Sequence, residues 1–329
     1  MIHYTTSITS APLLHIENLT VSFATEIGYL AAVKEITFSM AASETTCLVG
    51  ESGCGKSLTA KAILRLTPDN TLLGGRVLLH GTDLLTLREK EMQAVRGKQI
   101  AMVFQEPMTS LNPVLRIGEQ VVEPMRLHLG LNKSDAHTAA VKLLNEVGIP
   151  APEERYNDYP HQLSGGMRQR IMLAIALSCK PELLLADEPT TALDTTIQGQ
   201  ILHLLASCSR ERNMALLLIT HNLSVAAQLS GSTGVMYAGR LVEFAPTKML
   251  FRDPKHPYTR GLLRAAPSVH SRGLHRLPTI PGNVPSLDRI PTGCPFHPRC
   301  EYAMKRCADS MPPMQAHKGH KVACWLATS

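Results

Sequence analysis

The sequence predicts an α/β fold: a mostly parallel sheet covered by helices on both faces. An antiparallel β subdomain, an inserted α-helical subdomain and a Cys-rich C-terminal extension are added to it. Three observations carry this. Apolar runs at residues 45–50, 183–187 and 215–220 alternate with helix-length stretches, the pattern of buried strands joined by helical crossovers. Apolar and polar residues alternate over 13–23 and 31–40, which predicts antiparallel strands with one solvated face. From 108 to 168 the pattern turns helical, punctuated by Pro113, Pro124, Pro150 and Pro160.

The elements follow in order. Residues 1–12 read as a flexible tail with no basic segment leading into an apolar one, so no signal peptide is expected. After the two alternating strands and the buried run at 45–50 comes a glycine-rich turn, then a helical pattern over 57–66. Residues 74–84 resemble a hairpin element, and 99–107 a short strand running into a loop. Beyond the helical insertion, a helix over 169–179, a strand over 183–187, a helix over 196–212, a strand over 215–220 and a helix over 223–229 complete the core. After about Phe251 the composition shifts: 11 of the 22 prolines lie between Pro254 and Pro313. Such a segment cannot build a large core alone, so a covalent or metal staple is physically reasonable.

Composition narrows the function. No apolar run approaches the ~20 residues of a membrane span, so a cytoplasmic chain is expected. Aromatic residues make up only 4%, which argues against binding bases by stacking. The net charge of +6 comes from scattered Lys and Arg and reads as a solvated surface.

Gly50-Glu51-Ser52-Gly53-Cys54-Gly55-Lys56-Ser57 fits the phosphate-loop pattern at every fixed position, between a buried strand and a helix. This predicts a P-loop NTPase core, which resembles the RecA-like type. Glycines let backbone amides curl round a polyphosphate, and the following helix presents its positive end. Lys56 is expected to neutralise the β/γ oxygens and the Ser57 hydroxyl to ligate Mg²⁺. Strand 183–187 delivers Asp187, expected to hold Mg²⁺ through water, and Glu188, expected to orient and polarise the attacking water.

Leu163-Ser164-Gly165-Gly166-Met167, followed by Arg168-Gln169-Arg170, resembles the LSGGQ signature of the ATP-binding-cassette (ABC) family, with Met167 in place of glutamine. Read from the residues alone, Ser-Gly-Gly is either an outward-facing anion-binding helix start or an ordinary glycine turn with a serine cap. The resemblance implies the first, and with it a head-to-tail dimer holding ATP between one subunit's phosphate loop and the other's Ser164, Gly165 and Gly166. It further implies nucleotide contacts from Leu58, beside the loop. Gln105 resembles the Q-loop glutamine, which touches Mg²⁺ and water. Asp194, in Thr191-Ala192-Leu193-Asp194, resembles the D-loop aspartate that crosses the dimer interface. His221 resembles the switch histidine at the γ-phosphate. Phe23 matches the aromatic that stacks on adenine, although a strand-end Phe is also an ordinary core residue. Asn222 departs from the family, which usually has Asp after the switch histidine.

The tail extends the resemblance. His256 to Leu263 (HPYTRGLL), 277–285 (LPTIPGNVP) and 293–300 (GCPFHPRC) are similar to the C-terminal extension of oligopeptide/dipeptide/nickel importer ATPases, nearer their "D" member. Domain bounds of 13–265 for the nucleotide-binding domain and 266–329 for the extension follow. The resemblance implies an ATPase that powers import of peptides, or of nickel or metal chelates, from the cytoplasmic face of the bacterial inner membrane. Its expected partners are a second ABC ATPase subunit, two transmembrane permeases and an extracytoplasmic binding protein, with no nucleic acid. Two alternatives stand beside it. One is an efflux ATPase. The other is a soluble DNA-maintenance or translation cassette, disfavoured because Leu163 follows Lys56 by only 107 positions without a heptad run, and because there is one phosphate loop.

Cys47, Cys54, Cys179 and Cys208 are scattered and expected to be buried, inert thiols. Cys294, Cys300, Cys307 and Cys324 are spaced C-x5-C-x6-C-x16-C. In a reducing compartment such clustering favours a metal or cluster site over disulfides. Four thiolates complete either a Zn²⁺ shell or a [4Fe–4S] cube. The resembled importers include iron–sulfur members, and a structural staple is the role expected. The tail histidines His256, His270, His275, His297, His317 and His320 are expected to be exposed, titratable surface residues.

Overall fold

The computed structural model describes residues 11–26, 28–106, 110–191, 193–266 and 279–328. The N-terminal expectation for 1–12 therefore lies largely outside them, as do His270 and His275. Strands β1 (Leu14–Thr25) and β2 (Gly28–Met40) pair antiparallel, the second beginning earlier than the alternation alone predicts. Strand β3 (Thr45–Val49) enters the phosphate loop, which opens helix α1 (Lys56–Ile63). That helix ends short of the predicted boundary, where Arg65 takes a left-handed φ of 53°. Strands β4 (Thr71–Leu79) and β5 (Thr82–Asp83) form a hairpin, giving a four-stranded antiparallel sheet of order β2-β1-β4-β5.

Helix α2 (Glu89–Val95), unforeseen from sequence, precedes β6 (Ile100–Val103). The insertion holds α3 (Ile117–Leu129), α4 (Lys133–Glu146) and the single turn α5 (Pro152–Arg155). Helix α6 (Gly165–Leu177) starts four residues before the predicted 169, because Ser164 caps it and the glycine pair is its first turn. Strand β7 (Leu183–Asp187), helix α7 (Thr195–Glu211), strand β8 (Ala215–Thr220) and helix α8 (Leu223–Leu229) fall where expected.

Among the described residues the second sheet has eight strands, in the order β11 (Gln315–His317), β12 (His320–Val322), β10 (Arg240–Pro246), β9 (Ser232–Tyr237), β3, β8, β7, β6. Its new members are β9 (Ser232–Tyr237) and β10 (Arg240–Pro246), joined through Ala238 and Gly239, both at positive φ, as a tight hairpin requires. Strands β3, β8, β7 and β6 run parallel, as does β9 beside β3. Period-2 geometry explains why the parallel strands are apolar throughout. Leu183, Leu185, Ala215, Leu217 and Ile219 face the core shared with the antiparallel sheet and α1. Leu184, Ala186, Leu216 and Leu218 face the core under the inserted helices.

The C-terminal residues do not stand apart. After α9 (Thr247–Arg252) and α10 (Pro257–Ala265), the chain returns through α11 (Lys305–Asp309) to a small hairpin, β11 (Gln315–His317) and β12 (His320–Val322). Strand β12 pairs with β10 and so extends the main sheet. Two histidines depart from the expected exposed surface. His256 and His320 are buried around Glu243, which accepts from His320 Nε2 at 2.6 Å and from the His256 amide at 3.0 Å. No helix among the described residues is long and apolar enough to cross a membrane.

Candidate active site

Parallel register brings the site together. Val49 lies beside Thr220, and Asp187 beside Ile219, so the loops leaving β3, β7 and β8 share one sheet edge. Ligands in open α/β sheets bind at such carboxyl ends. Gly50 cannot carry a side chain, since a Cβ there would stand 2.3 Å from the Met236 carbonyl oxygen. Gly55, at φ +99°, starts α1 without a side-chain cap, which leaves the helix's first amides for a ligand. Lys56 is 4% exposed. Its Nζ donates to the carbonyls of Gly50 at 2.8 Å and Glu51 at 3.0 Å.

Ser57 Oγ donates to Asp187 Oδ1 at 2.7 Å. Burial pushes the Asp187 carboxyl above its ordinary range, while Ser57, Lys61 and Lys56 pull it back. Glu188 has a left-handed φ of 43°, the kind of local strain found at functional sites. Its Oε2 is approached by His221 Nδ1 at 3.2 Å, and accepts from Gln105 Nε2 at 3.4 Å and Thr191 Oγ1 at 2.9 Å. The Thr191 contact went unassigned in the sequence, because a hydroxyl beside an acid has no motif of its own. A cavity of about 640 Å³ is lined by Phe23, Ser52, Gly53, Gly55, Lys56, Ser57, Leu58, Gln105, Glu188 and His221. Ala32 and, unexpectedly, Leu287 of the C-terminal segment complete its wall. The donors, the ammonium and the neighbouring acids suit a polyphosphate with a divalent cation.

Four predicted residues lie elsewhere. Ser164 caps α6, its Oγ accepting from the Met167 amide at 3.3 Å, and is exposed. Gly165 and Gly166 pack toward Leu193 and Ile197, and a Cβ on Gly166 would meet Ile197 at 3.0 Å. Asp194 is exposed and caps α7, accepting from Thr196 and Ile197 amides at 3.0 Å. None of the four lines the cavity.

The scattered thiols Cys47, Cys54, Cys179 and Cys208 are buried, as expected. Cys54 lies 3.7 Å from Lys56 Nζ, and burial still pushes its thiol up. Cys294, Cys300, Cys307 and Cys324 line one small cavity with Phe296, His297 and Trp325. Burial pushes the Cys294 thiol up to about 11, with further repulsion from the other three. Four soft donors around one space are the donor type of a thiolate-held centre. Among the described residues, however, no three His, Cys, Asp or Glu side chains stand close enough to hold a metal ion.

Residues 33–191 match the ABC transporter family, and residues 242–307 match the oligopeptide/dipeptide transporter C-terminal region. The oligopeptide transport ATP-binding protein OppD of Salmonella typhimurium is 48% identical over 314 residues, 95% of this chain and 93% of that protein. A putative peptide import ATP-binding protein of Brucella melitensis is 47% identical over 321 residues, covering 97% and 96%. Among solved structures, the dimeric bacterial ABC transporter cassette MJ0796 superposes with a TM-score of 0.64 at 26% identity, over 71% of this chain and 98% of that one. A post-hydrolysis form of MJ0796, bound to ADP and Pi, superposes equally, with a TM-score of 0.64. With the phosphate loop, the paired acids and the cassette fold all in place, the chain belongs to the ABC transporter family of ATP-binding proteins, in the group that carries the oligopeptide/dipeptide transporter C-terminal region.

Proposed function

We propose that this chain is the ATP-hydrolysing subunit of a peptide-importing ABC transporter. The observation that carries the reading is the convergence of Lys56, Ser57, Gln105, Glu188 and His221 on one cavity that also takes Phe23. The names of the OppD relative and the putative peptide import protein support peptides over nickel or metal chelates.

In this reading the adenine stacks on Phe23. The phosphates lie on the amides of Gly50, Glu51, Ser52, Gly53, Cys54 and Gly55, with Lys56 on the β/γ oxygens and Leu58 at the wall. Ser57, Asp187 and Gln105 would hold Mg²⁺, which would supply charge neutralisation on the phosphate oxygens. Glu188 orients the water that attacks the γ-phosphorus, and the bond to the ADP oxygen breaks as the new P–O bond forms. His221 both steadies Glu188 and reaches the γ-phosphate. Positioning and electrostatics are what phosphoryl transfer requires of a protein.

The exposed position of Ser164 and Asp194, with the half-buried Gly165 and Gly166 beside Ser164, supports their use by a facing subunit. MJ0796, solved as a dimer, supplies the precedent. The facing subunit is a second ABC ATPase, and the pair serves two permeases and an extracytoplasmic binding protein from the cytoplasmic face of the inner membrane. The four-cysteine segment is proposed to hold a [4Fe–4S] cluster, with Zn²⁺ as the alternative, supported by four thiols lining one cavity. The test of the catalytic reading is Glu188→Gln in the assembled transporter. ATP hydrolysis is expected to fall at least about 100-fold while ATP affinity holds and an ATP-bound dimer accumulates. Hydrolysis near the wild-type rate would exclude Glu188 as the water-orienting group.

A further inference from the structure

The phosphate loop is held from an unexpected direction. Arg299, in the C-terminal segment and directly before Cys300, donates from Nη1 to Glu51 Oε2 at 2.8 Å and from Nη2 to Glu51 Oε1 at 3.0 Å. This is a two-pronged guanidinium–carboxylate pair. The Arg299 side chain is 5% exposed and that of Glu51 30%. The guanidinium is itself fixed. Nε donates to the Pro281 carbonyl at 2.8 Å, Nη1 reaches the Tyr237 hydroxyl at 3.3 Å, and the rings of Tyr237 and Phe296 lie 5.7 and 5.9 Å from it.

Glu51 is grasped at two further points. Its amide donates to the Tyr258 hydroxyl at 2.9 Å, and Tyr258 is fully buried on α10. Its carbonyl accepts from Lys56 Nζ at 3.0 Å, and the preceding Gly50 carbonyl takes the same ammonium at 2.8 Å. A continuous chain of contacts thus runs from the C-terminal segment through Arg299 and Glu51 to the lysine of the phosphate loop. Independently, Leu287 of the same segment lines the nucleotide cavity.

We propose that the C-terminal segment is a working part of the nucleotide site, with Arg299 the positioning residue that sets the phosphate loop through Glu51. The proposal rests on the reading of the loop as the ATP site. A loop clamped on its outer side keeps its amides and Lys56 pre-arranged for phosphate, so releasing the clamp weakens nucleotide binding without touching a nucleotide contact.

The test measures Mg-ATP affinity of the purified full-length chain with a fluorescent ATP analogue, alongside thermal melting. Arg299→Ala, Glu51→Ala and the double variant form a cycle. The expected result is a rise in Kd of about tenfold in each single variant, and no larger rise in the double. Arg299→Lys keeps the charge but loses the fork, and is expected to restore affinity only in part. Because an unpaired buried guanidinium can also unfold the chain, Glu51→Gln/Arg299→Met removes both charges at similar volume. It is expected to melt near wild type and still bind ATP more weakly. A Kd within about twofold of wild type in these folded variants, with only the melting temperature moved, would reduce Arg299 to a structural tie and overturn the proposal. Lys56→Ala is the control on the underlying reading: if it binds as tightly as wild type, the ATP site is elsewhere and both ideas fall together.

Discussion

Thr191 shows how a single hydroxyl serves the site. It donates to the same Glu188 oxygen that His221 and Gln105 approach, so the carboxylate is steered from three sides. A hydrogen bond to a charged group contributes about 1.5–3 kcal/mol. Thr191→Val keeps the shape and removes the donor. The expected outcome in the assembled transporter is a fall in kcat of roughly tenfold or more, with KM for ATP little changed. A rise in KM at constant kcat would instead make Thr191 a binding residue. At this scale the sequence was most informative where a motif carries its own geometry. Lys56 and Ser57 could be assigned because phosphate binding dictates their spacing, and Asp187 because a buried apolar strand ends on it. Thr191 could not, because a hydroxyl three residues from an acid carries no motif, and Arg299 could not, because Glu51 is brought to it only by folding.

At the scale of elements, the corner where β10, β12 and α10 meet is held by buried polar groups. His256 caps α10, its Nδ1 accepting from the Tyr258 amide at 3.1 Å. Burial depresses its pKa to about 4, with Glu243 opposing and Arg260 adding to the shift. Burial also pushes the Glu243 carboxyl up, but His320, Thr259 and the amides of Lys255 and His256 outweigh it and hold it below its ordinary value. Both groups act in the same sense. A depressed folded-state pKa contributes stability above the unfolded pKa, and that stability is lost as pH falls toward the folded pKa. For His256 the window runs from about 6.5 to about 4, and the full contribution is about 3 kcal/mol. The expected outcome is a melting temperature that drops through this window, with a shallower slope in His256→Asn, which keeps the cap. Equal slopes in the two proteins would rule His256 out as the source. Composition offered no sign of this: a histidine in a basic, proline-rich tail reads as surface until the tail is seen to close over β10.

At the scale of the whole molecule, the C-terminal segment extends the main sheet, walls the nucleotide cavity with Leu287 and clamps the phosphate loop with Arg299. Its four cysteines line one cavity, and closing a metal shell around them would tie this segment down. Metal analysis of anaerobically purified protein is expected to find iron and acid-labile sulfide near four of each per chain, and Cys300→Ser to lose most of both. Zinc in place of iron would select the tetrahedral alternative. Protein free of both would leave the thiols as packing residues.

By itself the sequence determined the parallel core, the antiparallel strands ahead of it, the phosphate loop and the acids at the end of β7. These depend on local periodicity and on residues close together along the chain. Only the tertiary structure decided that two tail histidines are buried around Glu243 and that Arg299 reaches Glu51. The physical reason is distance along the chain. A half-buried ion pair between positions 248 residues apart leaves no period or spacing to read, and exists only once the sheet has set the two segments side by side.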